Sequence, residues 1–311
     1  MNFNISNLAP AGRKSANGKF IGHIAAAIAV IMWGFSFVST KVLIDNNIGP
    51  IEIFVYRFTV AYLLILLISH SRFRSHSWRD ELLFALCGML SGSIYFIAEN
   101  FALENTTATN VSLLTSISPL FTALLMGLFY ANERPAKGMY IGSAIAFVGV
   151  ACVIFNSSAG VEFHPIGDIL SLAAAVCWAL YSIVLRRLAT NYDAWFITRK
   201  TFFYGVITSL PFWLMSPGTI VNLDISNTDV IINLLFLAIG ASVIGFGLWS
   251  VATRALGAVT ANNYMYYQSV VTMIGAYFII SEPITLIGVI GCALIIGGLY
   301  LGERLSRYPH C

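Results

Sequence analysis

The sequence predicts an all-α integral membrane protein, with ten transmembrane helices arranged as two inverted five-helix repeats. Three observations lead there. Hydrophobic residues fill 58% of 311 positions and charged residues only 10%, with a mean hydropathy of +0.80, whereas a soluble domain is about a quarter charged. Apolar runs of about 17 to 25 residues, long enough to cross a bilayer as helices, are punctuated by turn and charge clusters at that interval. Lysine and arginine fall in every second loop, as in a chain threaded back and forth with its basic loops in the cytoplasm.

Taken in order, the spans run over 21–44, 51–69, 82–103, 107–130, 138–156, 167–188, 196–215, 230–252, 258–280 and 284–302. The runs lack the strict alternation of a barrel strand, so they read as helices. The first follows a polar head of about twenty residues and is long enough to span, so it reads as a span and not as a cleaved signal peptide. That head carries Arg13, Lys14 and Lys19, the second loop Arg72, Arg74 and Arg79, and the fourth Arg134 and Lys137. Arg186, Arg187, Arg199 and Lys200 edge the sixth, Arg254 lies in the eighth, and Arg304 and Arg307 are in the tail. The alternate loops carry Asp45, Glu104, Glu162, Asp224, Asp229 and Glu282 instead. Both termini are therefore expected on the cytoplasmic side of the cell's inner (cytoplasmic) membrane. The cysteines (Cys87, Cys152, Cys177, Cys292, Cys311) lack ligand or CxxC spacing and read as packing residues, with no metal or cofactor implied. A net charge of +3 spread over separate loops points to no nucleic-acid partner.

The chain repeats itself. Trp33 is followed eight residues later by Lys41, and Trp178 eight residues later by Arg186; Gly22 aligns with Gly167, and Phe54 and Arg57 with Phe196 and Arg199. Five spans per half is odd, so the second half enters the membrane from the opposite side, an architecture that places a site between the halves at mid-membrane. "WGFSFVSTK" (33–41), "YRFTVAYLLI" (56–65), "FALENTTATNVSLLTSISPLFTALLMGLF" (101–129) with "ANERP", and "GSAIAFVGVACVIF" (142–155) resemble the first EamA repeat of the drug/metabolite transporter superfamily. "YQSVVTMIGAYFIISEPITLIGVIGCALIIGGLYLG" (267–302) is similar to the end of the second. The resemblance divides the chain into a tail (1–20), a first EamA-like repeat (21–156), an external linker (157–166), a second repeat (167–302) and a tail (303–311). It implies a cavity lined by helices 1–4 and 6–9, a scaffold of helices 5 and 10, and export of small metabolites, often amino acids, or of toxic compounds.

Within that frame the expensive residues stand out. Lys41, Arg57 and Glu99 are ionisable groups carried into spans at similar depth, and such groups normally face protein or water. Lys41 has a stem long enough to snorkel to the headgroups, Arg57 and Arg199 could simply tie helix ends together, and Glu99 is a candidate proton-coupling group or a structural partner of Lys41 or Arg57. In helix 4, Thr109, Ser112 and Ser116 form a polar stripe, and Pro119 leaves the Thr115 carbonyl without its usual donor and permits a kink. In helix 9, "TANNYMYYQS" puts Thr260, Tyr264, Tyr267 and Gln268 on one face at offsets of three and four. A substrate site is thus expected from Trp33, Ser116, Trp178, Tyr264, Tyr267 and Gln268, with gate or coupling roles for Lys41, Arg57, Glu99 and Pro119. Small-residue seams, Gly138/Gly142/Ala146/Gly149 and Ala293/Gly297 with Gly298/Gly302, suit close helix packing, with homodimer formation as the alternative use.

These features favour a secondary transporter that exports a small amphipathic metabolite by alternating access; the alternative cargo is a toxic organic cation. No GxxxxGK[ST] loop is present for ATP. An intramembrane enzyme acting on lipid-linked substrates would need acids or histidines converging at catalytic depth, but His23, His70, His76, His164 and His310 lie at span ends or in loops. A membrane sensor would need a soluble output domain, and no loop here is long enough to form one.

Overall fold

The computed structural model describes residues 16–70, 73–129, 137–156, 165–215 and 226–307. The basic Arg13, Lys14, Arg72 and Arg134, the acidic Glu162 and Asp224, the tail cysteine Cys311, and most of the linker and both tails lie outside them. The described residues form ten helical segments and no strand. In order these are α1 (Ala16–Asp45), α2 (Pro50–Ile68), α3 (Trp78–Asn105), α4 (Ala108–Phe129), α5 (Lys137–Asn156), α6 (Pro165–Leu188), α7 (Ala194–Met215), α8 (Thr228–Leu256), α9 (Ala258–Asn262 continuing as Met265–Ile279) and α10 (Leu286–Arg307). Six of them, α1 to α4, α6 and α8, are long and apolar enough to cross a membrane by length and composition alone.

Local chemistry sets several boundaries. Helix α3 begins four residues before its apolar run because Ser77 accepts the Asp80 amide, with Asp80 and Glu81 favourably placed in a positive first turn. Helix α2 starts at Pro50, whose missing N–H costs nothing there.

The helices that carry the centre of the bundle are irregular, and they are irregular in matching places. Helix α3 widens into a π segment at Met89–Ser93, and α8, its counterpart in the second half, does so over Phe236–Ile244. Helix α4 breaks at Ser116 and Ile117, and α9, again its counterpart, breaks at Asn263 and Tyr264. In α4 the cause is Pro119: the Thr115 carbonyl it cannot pair with accepts from the Ser118 hydroxyl at 2.6 Å. In α9 no proline is involved, and the amides of Tyr264 and Tyr267 instead bond three residues back, in tighter 3₁₀ fashion, to Ala261 and Tyr264. Where α3 widens it crosses α7 closely, since a Cβ on Gly92 would lie 2.9 Å from the Gly205 Cα.

Helices α5 and α10 behave differently. They pack against each other through the two glycine seams, Gly142 facing Gly298 and Gly302 while Gly149 faces the Gly291 carbonyl. The seams are thereby occupied within one chain, which leaves the outer faces with Tyr140, Phe147 and Tyr300 to meet lipid. A Cβ on Gly142 would sit 2.2 Å from the Gly298 carbonyl oxygen, whereas one on Gly297 meets nothing within 4 Å. Gly142→Ala is therefore expected to lower stability by about 1–3 kcal/mol through overpacking, and Gly297→Ala to stay within about 0.5 kcal/mol of wild type. Thermal unfolding of the detergent-solubilised variants checks this; equal shifts for both would remove the seam from the account.

Candidate functional site

Between the halves lies a narrow cleft, partly open, with a core wide enough for about one water. Helix α1 lends it Trp33, Ser36 and Phe37, α2 Arg57, and α3 Tyr95, Phe96 and Glu99; α6 adds Trp178, α8 Phe246, and the second part of α9 Met265 and Gln268. Both repeats therefore contribute. The walls are aromatic. Trp33 meets Trp178 edge-on at 5.1 Å and Trp249 at 5.0 Å, and Phe246 lies 5.4 Å from Trp33. The indole N–H groups of Trp33 and Trp178 are both already used, Trp33 on the Ala241 carbonyl at 2.8 Å and Trp178 on the Asn262 side chain at 3.1 Å. They supply shape and apolar contact more than polar recognition.

The polar content comes from three deeply buried side chains, Arg57, Glu99 and Gln268, at 1%, 2% and 1% exposure. The Arg57 guanidinium lies over the Phe96 ring at 4.5 Å and the Phe58 ring at 5.3 Å, and its Nε donates to the Ser242 hydroxyl at 2.7 Å. Among the described residues its Nη2 has no partner, and neither has the Gln268 Oε1. A buried polar atom without a partner costs about 1–3 kcal/mol, more when charged, so a solute that supplied partners to these two would be stabilised. Glu99 is acted on by Tyr95 and Arg57, and among the described residues it forms no ion pair within 4 Å.

The remaining expected site residues lie elsewhere. Ser116 is fully buried at the α4 break, where its hydroxyl meets Ser269 at 2.5 Å, Ser112 O at 2.6 Å and Met265 O at 3.1 Å, joining the two broken helices beside the cleft. Pro119 is buried just past that break. Tyr264 bonds His23 Nδ1 at 2.7 Å and does not line the cleft, and Tyr267 is 55% exposed on the outer face. Lys41 is half-buried and caps the end of α3, its Nζ donating to Leu103 O at 2.8 Å and Thr106 O at 3.4 Å, so it meets the negative end of a helix and not Glu99.

A second clamp holds the same turn. Glu282, between α9 and α10, accepts from the Ala108 amide (2.7 Å), the Thr109 amide (3.1 Å) and the Thr109 hydroxyl (2.6 Å), placing a carboxylate on the positive start of α4. Of the lining residues not anticipated, Ser36 and Phe37 follow helical spacing from Trp33, Tyr95 and Phe96 from Glu99, and Met265 from Gln268, whereas Phe246 lies on α8, where no site residue was expected. Glu282→Ala removes three hydrogen bonds and is expected to raise deuterium exchange at residues 108–112 by about tenfold or more, for a local loss of about 1–3 kcal/mol. Unchanged exchange there would show that the turn is held without Glu282.

The chain matches the model of the EamA-like transporter family twice, over residues 20–155 and 165–302. It is 30% identical over 285 residues to an uncharacterised transporter of Archaeoglobus fulgidus, covering 90% of this chain and 96% of that one. It is 25% identical to a probable amino-acid metabolite efflux pump of Escherichia coli, covering 89% and 93%, and 25% identical to a probable terminal-alkyne amino-acid exporter of Streptantibioticus cattleyicolor, covering 90% and 92%. A crystal structure superposes with a TM-score of 0.67 at 19% identity, over 94% of this chain and 98% of the other, which shows a shared fold.

Proposed function

Because the chain belongs to the EamA-like transporter family, and so is a small-molecule transporter of the membrane and not an enzyme, we propose that it exports an amino acid or a similar small zwitterion by alternating access around the central cleft. The observation that carries this reading is the unpartnered Arg57 Nη2 in a cleft that also holds Glu99 and the free Gln268 Oε1. An α-carboxylate would satisfy the guanidinium, an ammonium would meet the two acceptors, and an apolar side chain would lie against Trp33, Trp178 and Phe246. The E. coli and S. cattleyicolor relatives, named for amino acids, support the same class. An organic cation fits less well, since Arg57 would stand buried beside a like charge.

Trp33, Trp178, Gln268, Arg57 and Glu99 are assigned to substrate contact, with Glu99 also the group through which a proton could exchange against an ammonium. Ser116 and Pro119 belong to the hinge between the broken helices, while Lys41 acts at the α3–α4 turn. The cleft is contracted, so admitting a solute requires the halves to part. The basic loops favour an orientation in the cytoplasmic membrane with both termini in the cytoplasm.

Two measurements test this. Single-cysteine labelling in cells should find position 75 cytoplasmic and position 226 external; the reverse would invert the direction of the proposed export. In calorimetry on purified protein, Arg57→Gln should weaken amino-acid binding at least tenfold, about 1.4 kcal/mol or more, as expected for a lost charged hydrogen bond, while sparing the decarboxylated amine. Glu99→Gln should weaken both the amino acid and the amine, since each carries the ammonium. Amino-acid affinities equal to wild type in both folded variants would refute the zwitterion assignment.

A further inference from the structure

Arg57 reaches the cleft from the first repeat, yet the group that fixes it comes from the second. Ser242 is fully buried within the π segment of α8. Its hydroxyl donates to the Leu237 carbonyl, five residues back, at 2.8 Å. A serine hydroxyl has one proton and two lone pairs, so with the proton committed to Leu237 only acceptor capacity faces Arg57. The Arg57 Nε–H fills it at 2.7 Å. That bond, together with stacking on Phe96 at 4.5 Å, leaves the planar guanidinium little freedom to rotate. The unpartnered Nη2 is a consequence of this pose.

We propose that Ser242 is a positioning residue for substrate selection: it turns the Arg57 guanidinium so that its free Nη2 donor receives the carboxylate of the solute. The inference rests on the zwitterion reading above. The π widening of α8 serves the same end, because it brings the Leu237 carbonyl within reach of the Ser242 proton and so settles which way the hydroxyl faces. Ser242 touches no solute itself. Removing it leaves the Arg57 charge in place but unaimed, so the expected loss is in discrimination between solutes with and without a carboxylate, more than in overall rate.

The test uses the full chain in proteoliposomes loaded with an equimolar mixture of the twenty common amino acids and, in parallel, with the amines formed by their decarboxylation, efflux being read by mass spectrometry. Wild type is expected to prefer an amino acid over its amine. Ser242→Ala should cut that preference at least tenfold, and Ser242→Thr, which keeps the hydroxyl, should restore most of it. A defect in folding or packing alone would slow both mixtures equally and leave the ratio unmoved. Should Ser242→Ala fail to insert, Ser242→Cys, similar in size but a weak acceptor, carries the same comparison. An unchanged ratio in the alanine or cysteine variant overturns the role of Ser242 while leaving the zwitterion reading intact. Absence of any amino-acid efflux from wild type overturns that reading, and the inference with it.

Discussion

A cation in the middle of a membrane protein has few ways to exist, and Arg57 uses most of them. Leaving water costs such a group several kcal/mol even after the protein relaxes around it. Here the guanidinium is faced by the Phe96 and Phe58 rings, anchored at Nε by Ser242, and set in the same cleft as Glu99. Those contacts offset part of the cost and leave the Nη2 group without a partner among the described residues. The aromatic walls and the widened turn of α8, which carries Ser242, both bear on this charge.

The division of labour between helices follows the same line. Helices α3 and α8 widen, and α4 and α9 break, at matching places in the two halves, and these elements lend the cleft Glu99, Phe246 and Gln268 or adjoin it through Ser116. Departures from α geometry expose backbone groups that must be satisfied inside the bundle. Hydroxyls do so: Ser118 takes the Thr115 carbonyl, Ser242 the Leu237 carbonyl, and Ser116 bridges the two broken helices. By contrast α5 and α10 are uninterrupted and meet through glycines. Glycine packing thus marks the periphery, while hydroxyl-satisfied breaks and widened turns surround the cleft.

The spans, the repeat and the most expensive residues were legible in the sequence because each has a strong physical signature. Hydrocarbon thickness fixes the length of a helix, and a buried charge is conspicuous wherever it falls. Arg57 and Glu99 stand out as charges within spans, Trp33 and Trp178 through the repeat and Gln268 through helical spacing, and all five line the cleft. Tyr264 and Tyr267 are placed by spacing on a continuous helix, and the break at Asn263 and Tyr264 shifts that phase, leaving Tyr267 exposed on the outer face. Lys41 reads as a charge that snorkels to the headgroups or pairs with Glu99, whereas backbone carbonyls at the end of α3 satisfy it, a partner that no residue letter announces. The π segments carry no proline or other local mark. They arise from packing, as where Gly92 meets Gly205, and only tertiary contacts reveal them.

The central claim is that the free edge of Arg57 is a carboxylate receptor. A structure of the protein in lipid nanodiscs with an amino acid bound, the solute class proposed for it, tests it most directly. The account predicts the solute carboxylate within about 3 Å of Arg57 Nη2, its ammonium toward Glu99 and Gln268, and Ser242 still holding Nε. A solute seated away from Arg57, or bound with its ammonium toward the guanidinium, would contradict it.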